Sequence, residues 1–319
     1  MRLNVYQGAA VLVLLALSLA VQAKPATVDD YEMSAQEIAP NVYAVLTPSR
    51  DFPSAENLGW NANMAFVVTE EGVLVFDTGS SEVIGEAILR TIRTVTEAPI
   101  RWIVNSHSHG DHWLGNAAVA EDGTEILASA RTRELIENDG LEWVRRFNDM
   151  TEGATGDSRV LPPNVTVSDN SARDFGGVRG EFYLSPHGHS PGDLVLWLPE
   201  QRVLLAGDVV YQGRIAGTFD ADFQGWIALL EVLEALGAEV VVPGHGDVTE
   251  GEAVARQRAY FERLWAVVEE GFDEGLPDFE IAPRVREQMA EFETYYPDLQ
   301  EGIGASVSHA YLQVEAAAF

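Results

Sequence analysis

The stretch His107-Ser108-His109-Gly110-Asp111-His112 directly follows a short apolar run that ends at Val104. A single histidine would be interpreted as structural or solvated. Histidine is also the commonest metal ligand near neutral pH, and packing gives no reason to cluster it. Three histidines and one aspartate in so short a stretch therefore predict a metal site just after the strand that ends at Val104.

Three further motifs place a histidine or an aspartate beside glycine at the edge of an apolar strand. They are Gly188-His189-Ser190-Pro191-Gly192-Asp193, Leu205-Ala206-Gly207-Asp208 and Val241-Val242-Pro243-Gly244-His245-Gly246. Strand ends and the loops after them can hold side chains in a fixed, convergent geometry. The candidate metal ligands are therefore His107, His109, Asp111, His112, His189, Asp208 and His245.

Around these motifs, two β-rich stretches are each followed by helix and strand. The predicted strands cover 41–46, 63–68, 72–76, 101–104, 125–128, 180–184, 194–198, 202–206 and 239–242. The predicted helices between them cover 82–96, 114–120, 131–148 and 223–236. This order favours two sheets packed face to face with helices outside.

The last part of the chain has a different pattern. Helical spacing covers 252–271, 283–295 and 304–317, and the prolines Pro277, Pro283 and Pro297 punctuate it. We interpret this part as a helical appendage. The predicted organisation is a signal peptide at 1–23, a catalytic domain at 24–250 and a C-terminal helical extension at 251–319.

Residues 1–23 have the layout of a cleavable signal peptide. Arg2 precedes an apolar run from Ala9 to Ala20, and small residues stand at positions 20 and 23. The run is too short for the roughly 20 residues that cross a bilayer, so we expect cleavage after Ala23 and no membrane anchor. The expected mature protein starts near Lys24 and is periplasmic or secreted.

Composition excludes several classes of partner. Fifty acidic residues against 20 basic ones give a formal charge of −30, and the chain has no cysteine. Such a charge repels nucleic-acid phosphates and anionic lipid surfaces. Without cysteine, disulfides and thiolate ligands are excluded. We expect a small-molecule substrate and no nucleic-acid partner, and the sequence leaves the oligomeric state open.

The motifs HxHxDH, GHSPGD, AGD and PGHG, in this order and spacing, resemble those of the metallo-β-lactamase superfamily over about 38–247. The resemblance implies an α/β fold, a four-layer αββα sandwich with the site at one edge of the sheets. It also implies two zinc ions that share one bridging aspartate. One ion takes His107, His109 and His189, the second takes Asp111, His112 and His245, and Asp208 bridges them.

Asp77, in the run Asp77-Thr78-Gly79 after the third predicted strand, matches an early aspartate of the same superfamily. In that family the residue is usually a buttress behind the metal ligands. A simple turn at the end of the strand is the other interpretation.

With such a site we expect zinc-dependent hydrolysis of a carbonyl substrate, such as a β-lactam, a lactone or a thioester. Coordination lowers the pKa of water towards roughly 7, so a metal-bridging hydroxide can attack while Asp111 orients it. Tyr211 stands where β-lactamases with a cysteine at the bridging position usually carry a lysine for the substrate carboxylate. Arg214 is a candidate substitute for that lysine, and a surface arginine is the other interpretation.

Within the superfamily, the residues around the motifs are similar to exported β-lactamase-like proteins, including the quinoprotein-associated zinc metallohydrolases. Two other functions stay open. The mononuclear iron persulfide dioxygenases share the HxHxDH run and leave some of the ligands unused. A non-catalytic periplasmic maturation partner would fit the acidic surface and the helical tail, although the complete ligand set argues against it.

The segment 47–62 is predicted to be a loop that carries exposed apolar side chains. Exposed apolar groups beside polar metal chemistry commonly form a substrate wall. We therefore expect Phe52, Leu58 and Trp60 from this loop, together with Trp113, to line the entrance to the metal site.

Overall fold

The structure is a computed structural model that describes residues 24–318, so the expected signal peptide lies outside the described residues. Seven strands form the first sheet: β1 (Gln36–Ala39), β2 (Val42–Val45), β3 (Met64–Val68), β4 (Val73–Phe76), β5 (Ile100–Val104), β6 (Glu125–Ser129) and β7 (Val165–Val167). Five form the second: β8 (Ser171–Asp174), β9 (Arg179–Leu184), β10 (Leu194–Leu198), β11 (Val203–Tyr211) and β12 (Val240–His245).

Helices cover both outer faces and the C-terminal part of the described chain. Their bounds are α1 (Glu82–Arg93), α2 (Asn116–Val119), α3 (Ala130–Met150), α4 (Phe223–Glu234), α5 (Glu252–Asp273), α6 (Asp278–Gln288) and α7 (Leu299–Ala318). Within residues 24–318, none of these helices is long and apolar enough to cross a membrane.

Strand direction changes within each sheet. In the first sheet β1 to β4 are antiparallel neighbours, whereas β4 to β7 run parallel. Parallel neighbours need a crossover connection, and α1, α2 and α3 provide the three crossovers. In the second sheet only β11 and β12 are parallel. The carboxyl ends of β4 and β5 therefore meet at one edge, as do those of β11 and β12.

The layers are held together by three hydrophobic interfaces. In β4, Leu74 and Phe76 pack against the second sheet, while Val73 and Val75 pack against α1 on the outer face. Both faces of the strand are buried, which explains its continuous apolar run. On the far side of the second sheet, α4 and α5 cover β10 and β11. The described chain is an αββα sandwich, as the motifs implied.

The C-terminal helices α5, α6 and α7 share one hydrophobic cluster with α4 and the second sheet. Phe261 of α5 lies 4.3 Å from Trp226 of α4, measured between ring centroids. Ile281 of α6 and Ile303 of α7 are fully buried in the same cluster. The helical extension is therefore packed onto the sandwich rather than attached by a linker.

Several predicted boundaries were wrong for identifiable reasons. The short strands β1, β7 and β8 were missed, because their mostly polar or half-buried residues give little alternation. Pro283 was predicted to begin a helix but lies inside α6. That helix begins after Pro277, where Asp278 and Glu280 occupy its first turn and complement the helix dipole.

A close backbone contact joins α1 to the loop that carries the first motif. A Cβ atom added at Gly115 would lie 2.0 Å from the carbonyl oxygen of Thr78 and 3.1 Å from the Cα of Gly85. The backbone N–H of Gly115 also donates to the carbonyl of Gly79. Only glycine leaves room for the two segments to approach this closely.

We predict that Gly115→Ala lowers the free energy of unfolding by about 2–3 kcal/mol, because its methyl group would overlap rigid backbone. Gly304→Ala in α7 is the matched control, since its added Cβ would meet only the end of the Arg286 side chain at 3.6 Å. In the control, the free energy of unfolding is expected to rise by about 0.5–1 kcal/mol, because alanine has a higher helix propensity than glycine. Chemical denaturation of both variants checks this; equal stabilities would contradict the contact.

Candidate metal centre

The first group of candidate ligands comprises His107, His109, His189 and Asp208, whose ligand atoms all lie within 4.8 Å of one another. His189 Nε2 lies 3.1 Å from His109 Nδ1 and 3.4 Å from Asp208 Oδ2. His107 and His109 come from the loop after β5, His189 from the loop between β9 and β10, and Asp208 from β11. All four side chains are buried.

The second group comprises Asp111, His112 and His245, again with ligand atoms within 4.8 Å. A short 3-10 turn, Gly110–His112, presents the first two, and His245 ends β12. Asp208 lies between the groups, because its Oδ1 is 3.2 Å from His112 Nε2 and its Oδ2 is 3.2 Å from His245 Nε2. All seven predicted ligands therefore converge at one place.

This convergence depends on the parallel pairing of β11 with β12. A Cβ atom at Gly244 would lie 1.9 Å from Asp208 Oδ1. Glycine in the PGHG motif therefore makes room for the carboxylate that lies between the two groups.

The two groups have the atom types of metal ligands, and several of these atoms lack a hydrogen-bond partner. Buried His107 Nε2, His112 Nε2 and Asp208 Oδ1 have no hydrogen-bond partner among the described residues. A buried polar atom without a partner costs roughly 1–3 kcal/mol. Imidazole nitrogen and carboxylate oxygen are good ligands for divalent metals such as zinc. The residues present thus fit a divalent metal.

Charge within the metal-free cluster is arranged around one histidine. Burial alone would lower the pKa of His112, but the carboxylates of Asp208, Asp111 and Asp77 together raise it well above its usual value. Burial would raise the pKa of Asp208, yet His245 and His112 hold it well below its usual range. The surrounding carboxylates therefore stabilise a positive charge at His112, and a proton and a bound cation would compete for this position.

Asp77 supports the cluster from behind. Its Oδ2 lies 2.8 Å from His112 Nδ1, and its carboxylate also accepts hydrogen bonds from the backbone N–H and the hydroxyl of Ser106. Ser106 Oγ in turn lies 2.9 Å from His107 Nδ1. The buttress implied by the motif resemblance is present, and a simple turn does not describe these bonds.

Two residues that the sequence analysis missed hold other ligands in place. Asn61 donates from Nδ2 to Asp111 Oδ2 at 2.7 Å, and its backbone carbonyl lies 2.7 Å from His245 Nδ1. Asp220 Oδ2 lies 3.1 Å from His109 Nε2. Neither residue belongs to a motif, and their contacts join segments far apart in the chain. Only the position of Asp220 just before α4 was visible in the sequence.

A cavity opens over both groups. Two arginines line it, Arg214 and Arg146. The guanidinium of Arg214 lies 5.2 Å from the ring of Phe52 and 5.4 Å from that of Tyr211. Arg214 is only 9% exposed, so the surface interpretation of this residue was wrong.

The predicted aromatic wall is only partly correct. Phe52 lines the cavity and is 68% exposed. Trp60 and Trp113 do not line it and are 7% and 0% exposed, so these two predictions were wrong. Leu58 is half-buried against the same cluster as Trp60, which packs with α1. Trp113 packs against α3 and donates its indole N–H to the carbonyl of Ser108.

The physical reason is the large apolar area of indole, whose burial stabilises the fold more than its exposure at a wet cavity would. Other aromatic rings take the predicted place. Trp143 and Phe147 of α3 line the cavity, together with Phe219, whose ring stacks on His109 with centroids 4.9 Å apart.

The profile of the metallo-β-lactamase superfamily matches residues 58–245. The chain belongs to this superfamily. It is 26% identical over 284 residues to a linear primary-alkylsulfatase from a Pseudomonas species, covering 76% of this chain and 53% of that protein. It is also 22% identical over 245 residues to a type 2 metallo-β-lactamase from Bacteroides fragilis, covering 74% of this chain and 88% of that protein.

Among solved structures, a stereoselective inverting sec-alkylsulfatase from a Pseudomonas species has the same fold. It superposes with a TM-score of 0.70 at 19% identity, covering 88% of this chain and 50% of that one. The chain thus spans about half the length of the alkylsulfatases it matches. The names of the relatives, a β-lactamase and alkylsulfatases, denote hydrolases.

We predict that Asp77→Asn weakens metal binding by about 10–100-fold, as loss of a group that orients a metal-binding histidine typically does. The amide cannot accept all three hydrogen bonds that the carboxylate now receives. Competition with a chelating dye measures the affinity. Asp193→Asn is the matched control, because that carboxylate is equally buried but bonds to Ser190. Equal affinities in the two variants would contradict the supporting role.

Proposed function

We propose that this protein is a zinc-dependent hydrolase that holds two metal ions and cleaves a carbonyl substrate, such as a β-lactam, a lactone or a thioester. The observation that carries the proposal is the position of Asp208, in contact with both ligand groups beneath one open cavity. The proposed ligands of one ion are His107, His109 and His189, and those of the other are Asp111, His112 and His245. Asp208 would contact both ions.

Two zinc ions at these positions would supply a Lewis acid for the substrate oxygen and a water with a pKa lowered towards roughly 7. The remaining chemistry belongs to the chain. Asp111 lines the cavity, and Asn61 fixes its Oδ2, so its carboxylate is placed to accept a proton from the attacking water. Asn61 thereby limits the orientations that Asp111 can adopt.

Tyr211 provides a proton donor in the same cavity. Its hydroxyl donates to Asp208 Oδ2, and burial together with the charge of Asp208 raises the pKa of the phenol well above its usual value. The phenol therefore keeps its proton near neutral pH. A hydroxyl has one proton, so the phenol would turn from Asp208 Oδ2 to donate to an oxygen that gains negative charge during the reaction.

The substrate that fits this cavity carries a negative charge. Neither Arg146 nor Arg214 forms a salt bridge with a carboxylate in the described part of the chain, although the whole chain carries a formal charge of −30. Arg146 is exposed, but Arg214 is buried, and burying a cation without a carboxylate partner costs free energy that a bound anion offsets. We assign Arg214 the role of contacting a carboxylate or a similar group on the substrate.

A sulfate ester is the second candidate substrate. The two unpaired arginines fit a sulfate group, and the alkylsulfatase relative covers most of this chain. The iron dioxygenase alternative is less well supported, because Asp111, His112 and His245 form a complete second ligand group. A non-catalytic maturation role would leave the open cavity without a use.

The test is a substrate panel assayed with mature, zinc-loaded protein. We expect hydrolysis of at least one β-lactam, lactone or thioester and loss of that activity with a chelator. Turnover of alkyl sulfates alone would replace the carbonyl substrate with the second candidate. Purified protein that binds iron and consumes oxygen would overturn the assignment as a hydrolase.

Asp208 gives the decisive variant of this test. Asp208→Ala should lower zinc content towards one ion per chain and reduce kcat by about 10² or more, because it removes the carboxylate between the two metals. Asp122→Ala, at an exposed position, is the control and should retain zinc and turnover. An Asp208→Asn variant with two tightly held zinc ions and unchanged kcat would exclude the bridging role.

We further propose that the chain is exported to the periplasm or secreted and that it divides at about residue 250 into a catalytic part and a helical extension. The export proposal rests on the layout of residues 1–23 alone. N-terminal sequencing of the exported protein should begin near Lys24, and a sequence that begins at Met1 would contradict cleavage.

A further inference from the structure

A second cavity, of about 420 Å³, lies between residues 214–219 and the helix α7. Ile215 and Ala216 form one side of it, and Ala305 of α7 forms part of the other. We name this space the α7 groove. Through this groove the C-terminal helix α7 contributes residues to a cavity beside the metal centre.

The α7 groove adjoins the metal cavity. Phe52, Arg214, Gly217 and Phe219 line both spaces. Phe52 and Phe219 are 68% and 49% exposed, although large apolar rings are usually buried. The Phe219 ring also stacks on His109. A ligand that covers these two rings would therefore extend from the metal centre into the groove.

The walls of the groove offer few free polar groups. Thr218 Oγ1 lies 2.9 Å from His309 Nδ1 and 3.3 Å from Ser306 Oγ, so these groups bond to one another. The carboxylate of Asp298 accepts a hydrogen bond from the backbone N–H of Ile215. The exposed carboxylate of Asp51 also lines the space. The pairing of the other groups, together with the side chains of Ile215 and Ala305, leaves an apolar stretch of wall that favours an apolar ligand.

A cation stands where the two spaces meet. Arg214 is nine-tenths buried, its Nε has no hydrogen-bond partner among the described residues, and its Nη1 donates only to the backbone carbonyl of Arg50. Two carboxylates also line the groove, Asp51 and Asp298, but neither forms a salt bridge with Arg214 in the described structure. The junction therefore fits the polar or anionic end of a ligand, while the groove fits an apolar part.

We propose that the α7 groove binds the apolar chain of an acyl or alkyl amphiphile whose polar end lies at Arg214 and the metal cavity. For hydrolysis of such a ligand the inference rests on the proposed function, but binding can be tested without any reaction. It gives the C-terminal helices a role in selecting substrates by chain length. The charge of Arg214 and the apolar wall together specify the class of ligand.

The test uses zinc-loaded mature protein and two probes, decanoate and acetate, with binding measured by calorimetry. Affinity should rise with chain length, by up to about fourfold for each methylene buried. Ala305→Trp fills the groove from an exposed position, so it should weaken decanoate binding at least about tenfold and leave acetate binding unchanged. Ala305→Leu is a smaller change that should give an intermediate loss.

Ala316→Trp is the matched control, because Ala316 is an exposed alanine of the same helix that does not line the groove. It should bind decanoate like the unchanged protein. Equal decanoate binding by Ala305→Trp and Ala316→Trp would overturn the proposal, as would equal affinity for decanoate and acetate. A change of oligomeric state in Ala305→Trp without an effect of chain length would instead assign the groove to a second copy of the chain.

The outcome separates this inference from the proposed function. If decanoate binding depends on Ala305 but no ester is cleaved, the result supports binding in the groove and does not support the proposed hydrolase function. If esters are cleaved, Ala305→Trp should raise KM about tenfold for long acyl chains and leave KM for acetyl esters unchanged. Cleavage with no dependence of KM on chain length would overturn the groove alone.

Discussion

The arrangement of the whole molecule depends on the burial of a cluster of charged and polar side chains at one edge of two sheets. Five histidines and Asp208 of this cluster are less than 6% exposed, and burying such groups without partners destabilises a fold. The structure offsets that cost in two ways. Hydrogen bonds with Asp77, Ser106, Asn61 and Asp220 satisfy the outward-facing atoms of five ligands, and the inward-facing atoms converge where a cation can bind.

Backbone geometry makes the convergence possible. Loops that follow parallel strands emerge at one edge, so the motif after β5 and the residues of β11 and β12 come together although they are distant in sequence. Glycines at positions 115 and 244 let these segments approach within van der Waals contact. The fold thus contributes direction and proximity, and the side chains contribute chemistry.

Sequence reasoning predicted the sandwich and gathered the seven ligands because both leave local signals. Buried strands such as β4 are continuous apolar runs, and ligand motifs combine histidine with glycine at strand ends. Asn61 and Asp220 left no such signal, because each acts through a contact that only the tertiary fold creates. For Trp60 and Trp113 the local signal was misleading. Their positions in the sequence suggested a cavity wall, but their large rings are buried in hydrophobic clusters.

The metal cluster also has a consequence for folding kinetics. Its members come from segments of the first sheet, from the loop between β9 and β10, and from the last two strands of the second sheet. Contacts this distant in sequence form slowly, because the chain loses conformational entropy in closing long loops before the contacts can stabilise it. Each ligand group combines residues from both sheets, so neither group is complete until the sheets have docked. Metal binding then stabilises the native state selectively, in proportion to the logarithm of the free metal concentration. Metal supply would thus govern how long the finished protein resists unfolding.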